Sequence, residues 1–63
     1  MTSHPLPRIS APAARALDGA RITTLEQAAE YGEASLLELH GFGPKGIVIL
    51  RAALAELGLE LAD

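Results

Sequence analysis

Apolar side chains recur at helical spacing through most of this chain. Ile47, Leu50, Leu54 and Leu57 follow one another at intervals of three or four and predict the buried stripe of a helix over residues 44–57. The run Ile47-Val48-Ile49-Leu50 alone would also suit a strand. The proline start at Pro44 and the alanines at 52, 53 and 55 decide for helix. Gly58 is placed for a left-handed C-terminal cap, with Leu59 folding back on the last turn and Leu61 extending that contact. Upstream, Ser10 caps a helix over residues 11–17, with Pro12 tolerated in its first turn, and Asp18-Gly19 stops it. Thr23 with Glu26 and Thr24 with Gln27 both fit a capping box, so the second helix starts in either of two registers. Gly32 ends it, and residues 33–39 form a short third helix. His4, Pro5 and Pro7 break regular structure, which predicts an extended arm over residues 1–7 ahead of a domain spanning 8–63. The expected core is Ile9, Leu17, Leu25, Leu36, Phe42, Ile47, Leu50, Leu54 and Leu57, in an all-α fold of four to five helices.

The chain also repeats itself. At an offset of 33, Leu6 meets Leu39, Ile9 meets Phe42, Ala14 meets Ile47 and Leu17 meets Leu50. Each copy carries an apolar residue inside a turn and is followed by a helix.

The second copy holds the motif with chemical content: Leu36-Leu37-Glu38-Leu39-His40-Gly41-Phe42-Gly43-Pro44-Lys45-Gly46-Ile47. Glycine permits the positive φ of a tight turn and removes side chains that would block an approaching phosphate. Phe42 is expected to turn inward and lock the turn to the core. The helix that follows presents free backbone N–H groups and the positive end of its dipole, which suits an anion. Lys45 adds a charge in the first turn, while Pro44 withholds one donor. The same motif would also serve as a tight helix-to-helix turn that binds nothing.

This arrangement resembles a helix-hairpin-helix motif. From about Leu6 to Leu61 the chain is most similar to the C-terminal domain of the bacterial RNA polymerase alpha subunit. The matching segments are Ile22-Thr-Thr-Leu25, Glu33-Ala-Ser-Leu-Leu37, Phe42-Gly-Pro-Lys45 and Leu57-Gly-Leu-Glu-Leu61. The resemblance implies a compact tandem helix-hairpin-helix, SAM-domain-like fold. It also implies that the start of the first helix and the hairpin lie together and touch the DNA backbone and minor groove. The departures limit what carries over. Pro12 stands where the family has arginine, Arg15 where it has asparagine, Gly41 where it has a polar residue, and Gly46 where it has serine. Most groove-reading side chains are therefore missing, and recognition of a promoter element is not expected.

Net charge is −3, which on average argues against nucleic acid. The charges are nevertheless segregated. Residues 1–17 hold Arg8 and Arg15 and no acid, and residues 39–55 hold Lys45 and Arg51 and no acid. The acids fall in between and at the end. By analogy with the family, the two acid-free stretches would share a face.

Length and composition close off other classes. Sixty-three residues make one small domain with a thin core. Without cysteine there is no disulfide framework, zinc finger or thiol nucleophile. Two aromatics, Tyr31 and Phe42, do not make a base-stacking platform. No apolar run reaches membrane-spanning length and the N-terminus does not read as a secretory signal, so a cytoplasmic location away from membranes is expected. Serines and threonines occupy tail, cap and helix positions with no histidine and carboxylate at triad spacing, so no catalytic residues are assigned. Lys45 as a glycosylase-like lysine would need a base pocket that this chain is too short to enclose. No cofactor is expected, and zinc on His4 and His40 lacks two further ligands.

Several side chains keep two readings. His40 either approaches a phosphate or caps the short helix before it. Arg15 is a solvated charge or a phosphate contact, and Arg51 pairs with an acid such as Glu56 or stays free. Glu26, Glu30 and Glu33 read as a solvated face, Tyr31 as half-buried, and His4 as idle in the arm. Two functions follow. In one, the domain binds double-stranded DNA weakly and without sequence preference, through Gly41, Gly43, Lys45 and Gly46 with Arg8 and Arg15 assisting. In the other it is a protein-interaction adaptor, with Val48 or Ile49 left outside the buried stripe.

Overall fold

A computed structural model describes residues 3–63. Four helices follow in order, α1 (Ala11–Gly19), α2 (Leu25–Tyr31), α3 (Glu33–Leu37) and α4 (Pro44–Glu56), and the described residues contain no strand. The fold is all-α, and α2, α3 and α4 pack on one another.

Each helix starts where a cap allows it. The Ser10 hydroxyl accepts from the Ala13 N–H at 3.3 Å, with Pro12 in the first turn of α1. The two registers open for α2 reduce to one: Thr24 is the N-cap, and Gln27 completes the box. Gln27 Oε1 accepts from the N–H groups of Thr23 and Thr24 at 2.6 and 3.2 Å, which holds both threonines at once. Helix α4 begins at Pro44 behind an N-cap, Gly43, that supplies no side-chain hydrogen bond.

The helix ends depart from expectation in two places. Gly19 does not stop α1; the chain stays helical through it and turns at Arg21, the one non-glycine residue with positive φ (62°) among those described. There the Ile22 N–H donates to the Leu17 carbonyl at 2.8 Å and the Arg21 N–H to Asp18 at 2.9 Å, the paired bonds of a Schellman cap. The delay delivers Ile22 into the core at 3% exposure, and burying it offsets the cost of a left-handed arginine. Helix α3 ends at Leu37 rather than 39; Glu38 and Leu39 continue as tight turns bonded to Ser35 and Leu36. At the end of α4 the expected cap forms, with Gly58 at φ 73° and the Leu59 N–H donating to Leu54 at 2.9 Å.

Phe42, Leu17, Leu25, Leu36, Ile47, Leu50 and Leu54 are buried as expected. Ile9 only packs against the core edge, and Leu57 is 37% exposed because it belongs to the C-cap, where the backbone turns off the helical stripe. Their places are taken by Ala13, Ile22, Ala28 and Leu61. Leu61 is held by the C-terminal tail, whose Ala62 donates to the Ala29 carbonyl and accepts from the Glu33 N–H. Gly32, at φ 91°, makes room for that tail: a Cβ there would lie 2.9 Å from the Asp63 carbonyl oxygen.

The offset of 33 recurs in the element bounds and in burial. It pairs the N-caps Ser10 and Gly43, the helix starts Ala11 and Pro44, and the fully buried Leu17 and Leu50. The copies part at Ile9, half-buried against the buried Phe42, and at Ala14, exposed against the buried Ile47.

Candidate nucleic-acid interface

The turn joining α3 to α4 is built around Gly41 and Phe42. Gly41 has φ 91°, and a Cβ added to it would come 3.1 Å from the Pro12 carbonyl oxygen. Glycine is required here twice over, for its backbone angle and for contact with the first turn of α1. Next to it, Phe42 is 5% exposed and its N–H donates to the Leu39 carbonyl at 3.1 Å. The aromatic ring ties the turn to the core, and the glycine ties it to α1.

The other two glycines act differently. Gly43 is extended (φ −133°) and a Cβ there would meet nothing within 4 Å, so neither strain nor crowding demands glycine. Gly43 is half-buried. Gly46 is buried, and a Cβ on it would strike the Phe42 ring at 2.7 Å. Its missing side chain makes room for that ring, on the inward side of α4, not for a ligand outside. Its N–H, with that of Ile47, donates to the Gly43 carbonyl. The N–H groups of Gly43 and Lys45 donate to no backbone carbonyl among the described residues.

Contact between Gly41 and Pro12 brings the two acid-free stretches together. Between them lies an open groove of about 340 Å³ lined by Pro12, Arg15, Ala16, His40 and Gly41. Arg15 and His40 are both exposed on it. His40 makes no hydrogen bond to α3, whose last turn is closed by the backbone of Glu38 and Leu39. Lys45 is exposed in the first turn of α4, and Arg8 is exposed in the segment before Ser10; neither lines the groove. Among the described residues, Arg8, Arg15 and Lys45 make no ion pair.

Two pairings that the linear pattern did not reveal lie elsewhere. Arg51 pairs with Glu33 of α3, not with Glu56, and so neither is free on a solvated face. His4 is not idle. Its backbone N–H donates to Glu26 at 2.9 Å, its Nδ1 lies 2.5 Å from the other carboxylate oxygen, and its carbonyl accepts from the Leu25 N–H. Those bonds from His4 hold the Glu26 carboxyl down at about 2, from an ordinary 4.5. With the bridge between Pro5 and Thr24, they fasten the His4-Pro5 part of the expected arm to the start of α2; residues 1 and 2 of that arm lie outside the described residues. The signal available was α2 itself, since the first N–H groups of a helix need partners from outside it.

Among the described residues no three metal-ligating side chains gather, and no helix is long and apolar enough to cross a membrane. No protein-family model, curated protein or solved structure significantly matches the chain.

Proposed function

We propose that this protein is a sequence-independent DNA-binding module of the helix-hairpin-helix type, gripping the duplex backbone through the 41–45 turn. Lys45 and the Gly43 N–H, which donates to no backbone carbonyl among the described residues, are its contacts in the turn, and Arg15 and Arg8 assist from the other acid-free stretch. The observation that carries this reading is the seating of Gly41 on Pro12, which gives two basic, acid-free segments a common surface. Gly46 contributes indirectly by seating Phe42. With two to four phosphates engaged, binding is weak, and log affinity falls against log salt with a slope of about −2 to −4.

Lys45→Glu is the test. It leaves the glycines in place, and an acid in the first turn of α4, which has none, suits the helix dipole. By fluorescence anisotropy at moderate salt the variant loses measurable duplex binding, while its melting temperature stays near that of the wild type. Unrelated duplexes of equal length bind the wild type equally, because base-reading side chains are absent. Absence of wild-type binding even at low salt defeats this reading. A protein-interaction adaptor then takes its place, and Val48, 65% exposed on α4, favours that second reading.

A further inference from the structure

We infer that the groove between α1 and the 40–43 turn is a second seat for a backbone phosphate, held jointly by Arg15 and His40, and that DNA binding there is coupled to protonation of His40. This inference rests on the DNA-binding reading above and adds its regulation.

The groove joins Arg15 and His40, from segments 25 residues apart in the chain, with walls made by Pro12, Ala16 and Gly41. These walls are small or ring-shaped and carry no charge. The groove is open and its volume of about 340 Å³ equals about eleven waters at roughly 30 Å³ each, which leaves room for a phosphate group. Arg15 is the one permanently charged group lining the groove. Glu38 on the preceding turn, Asp18 one turn along α1 and Lys45 at the start of α4 are exposed and line none of it. No carboxylate lines the groove to compete with an incoming anion for Arg15 or His40.

Histidine is the side chain that ordinarily changes charge near neutral pH. A neutral imidazole beside Arg15 offers a phosphate one weak donor. An imidazolium offers a charge-assisted hydrogen bond and a second positive charge. A phosphate in the groove therefore favours the protonated ring, and binding takes up a proton. Arg15 stays charged throughout, so it supplies the pH-independent part of the contact and His40 the variable part.

Duplex affinity measured by anisotropy at about pH 5.5 and about pH 8, across a salt series, tests this. The wild type binds on the order of tenfold more tightly at the lower pH, the worth of one charge-assisted hydrogen bond. Its salt slope steepens there by about one phosphate. His40→Gln, at an exposed position without a hydrogen-bond partner in the described structure, flattens both changes. His40→Lys binds tightly at both pH values. His4 is present and bonded to Glu26 in every one of these proteins, so it cannot account for a difference between them. Equal pH dependence in the wild type and His40→Gln overturns the inference, as does a wild type whose binding ignores pH; in both cases the DNA reading survives. A wild type that binds no duplex at the lower pH and low salt removes the DNA reading and this inference together.

Discussion

Replacing Gly46 by alanine pits local helix preference against tertiary packing, and the geometry says which wins. Gly46 lies in the first turn of α4, where alanine is preferred over glycine by about 1 kcal/mol. Against this, the new Cβ would stand 2.7 and 2.8 Å from Cζ and Cε1 of Phe42, and 3.1 Å from Cε2. Carbon atoms rest at about 3.5–4.0 Å, so the ring must retreat by nearly 1 Å. It has nowhere free to go, being 5% exposed. Overpacking of a filled core costs about 1–3 kcal/mol. With three ring atoms involved, the upper part of that range applies, and the net loss is about 1–2 kcal/mol. In a domain of this size each kcal/mol moves the midpoint by about 4–8 °C, so circular dichroism should show Tm lower by about 4–16 °C.

Gly19→Ala provides the control of opposite sign. Gly19 is helical, exposed, and a Cβ there meets nothing within 4 Å, so alanine should raise stability by about 0.5–1 kcal/mol. Placing Gly46→Ala on a Phe42→Leu background makes room for the methyl group, and its cost should then shrink by about 1 kcal/mol. A Gly46→Ala protein as stable as the wild type, or one whose loss is the same on both backgrounds, refutes the account of Gly46 as space reserved for the ring.

Phe42→Ala should cost about 3–5 kcal/mol, comparable to everything a single core supplies in a chain this short, so the variant should lack a cooperative melt. Gly41→Ala combines φ 91° with a 3.1 Å approach to the Pro12 oxygen and should lose about 1–3 kcal/mol, measurable as a lower urea midpoint. Because the folded Glu26 carboxyl is depressed from 4.5 to about 2, its contribution is complete above pH 4.5 and disappears as pH falls towards 2. The wild type should therefore lose Tm across that window more steeply than Glu26→Gln, and parallel acid melts would count against the His4 clasp.

What could be read from the sequence was local. Ser10, Pro44 and Gly58 mark helix ends by their own chemistry, and the period of Ile47, Leu50 and Leu54 marks a face, so four helices and most of the core followed. What depended on distant contacts was not readable. Arg21 turns left-handed only because Ile22 has a place in the core, and Gly32 is needed only because the tail passes over it. Gly46 looked like part of an anion turn because it directly follows the Gly41–Lys45 segment; its inward direction follows from where the Phe42 ring lies. One miss was avoidable. Glu56 is five residues from Arg51, outside the three-or-four spacing at which helical side chains meet, so a partner on another element was the better expectation.

The residues of the turn therefore divide into two sets that answer to different measurements. Gly41, Phe42 and Gly46 fix the turn against Pro12 and the core, and each is already committed to a protein contact within about 3 Å of where a change would be felt. Phe42 and Gly46 are buried and line no groove, so a substitution at either alters binding by altering the fold, and lost affinity there says nothing about contact with DNA. Arg8, Arg15, His40 and Lys45 are exposed, and no ion pair among the described residues includes them. Their substitution leaves the packing untouched, and surface changes of this kind move stability by no more than about 0.5 kcal/mol. A loss of affinity at these four with an unchanged melt is the signature of direct contact. The thin core sharpens the distinction, because with only a few kcal/mol in reserve a packing defect cannot remain hidden in the melting curve.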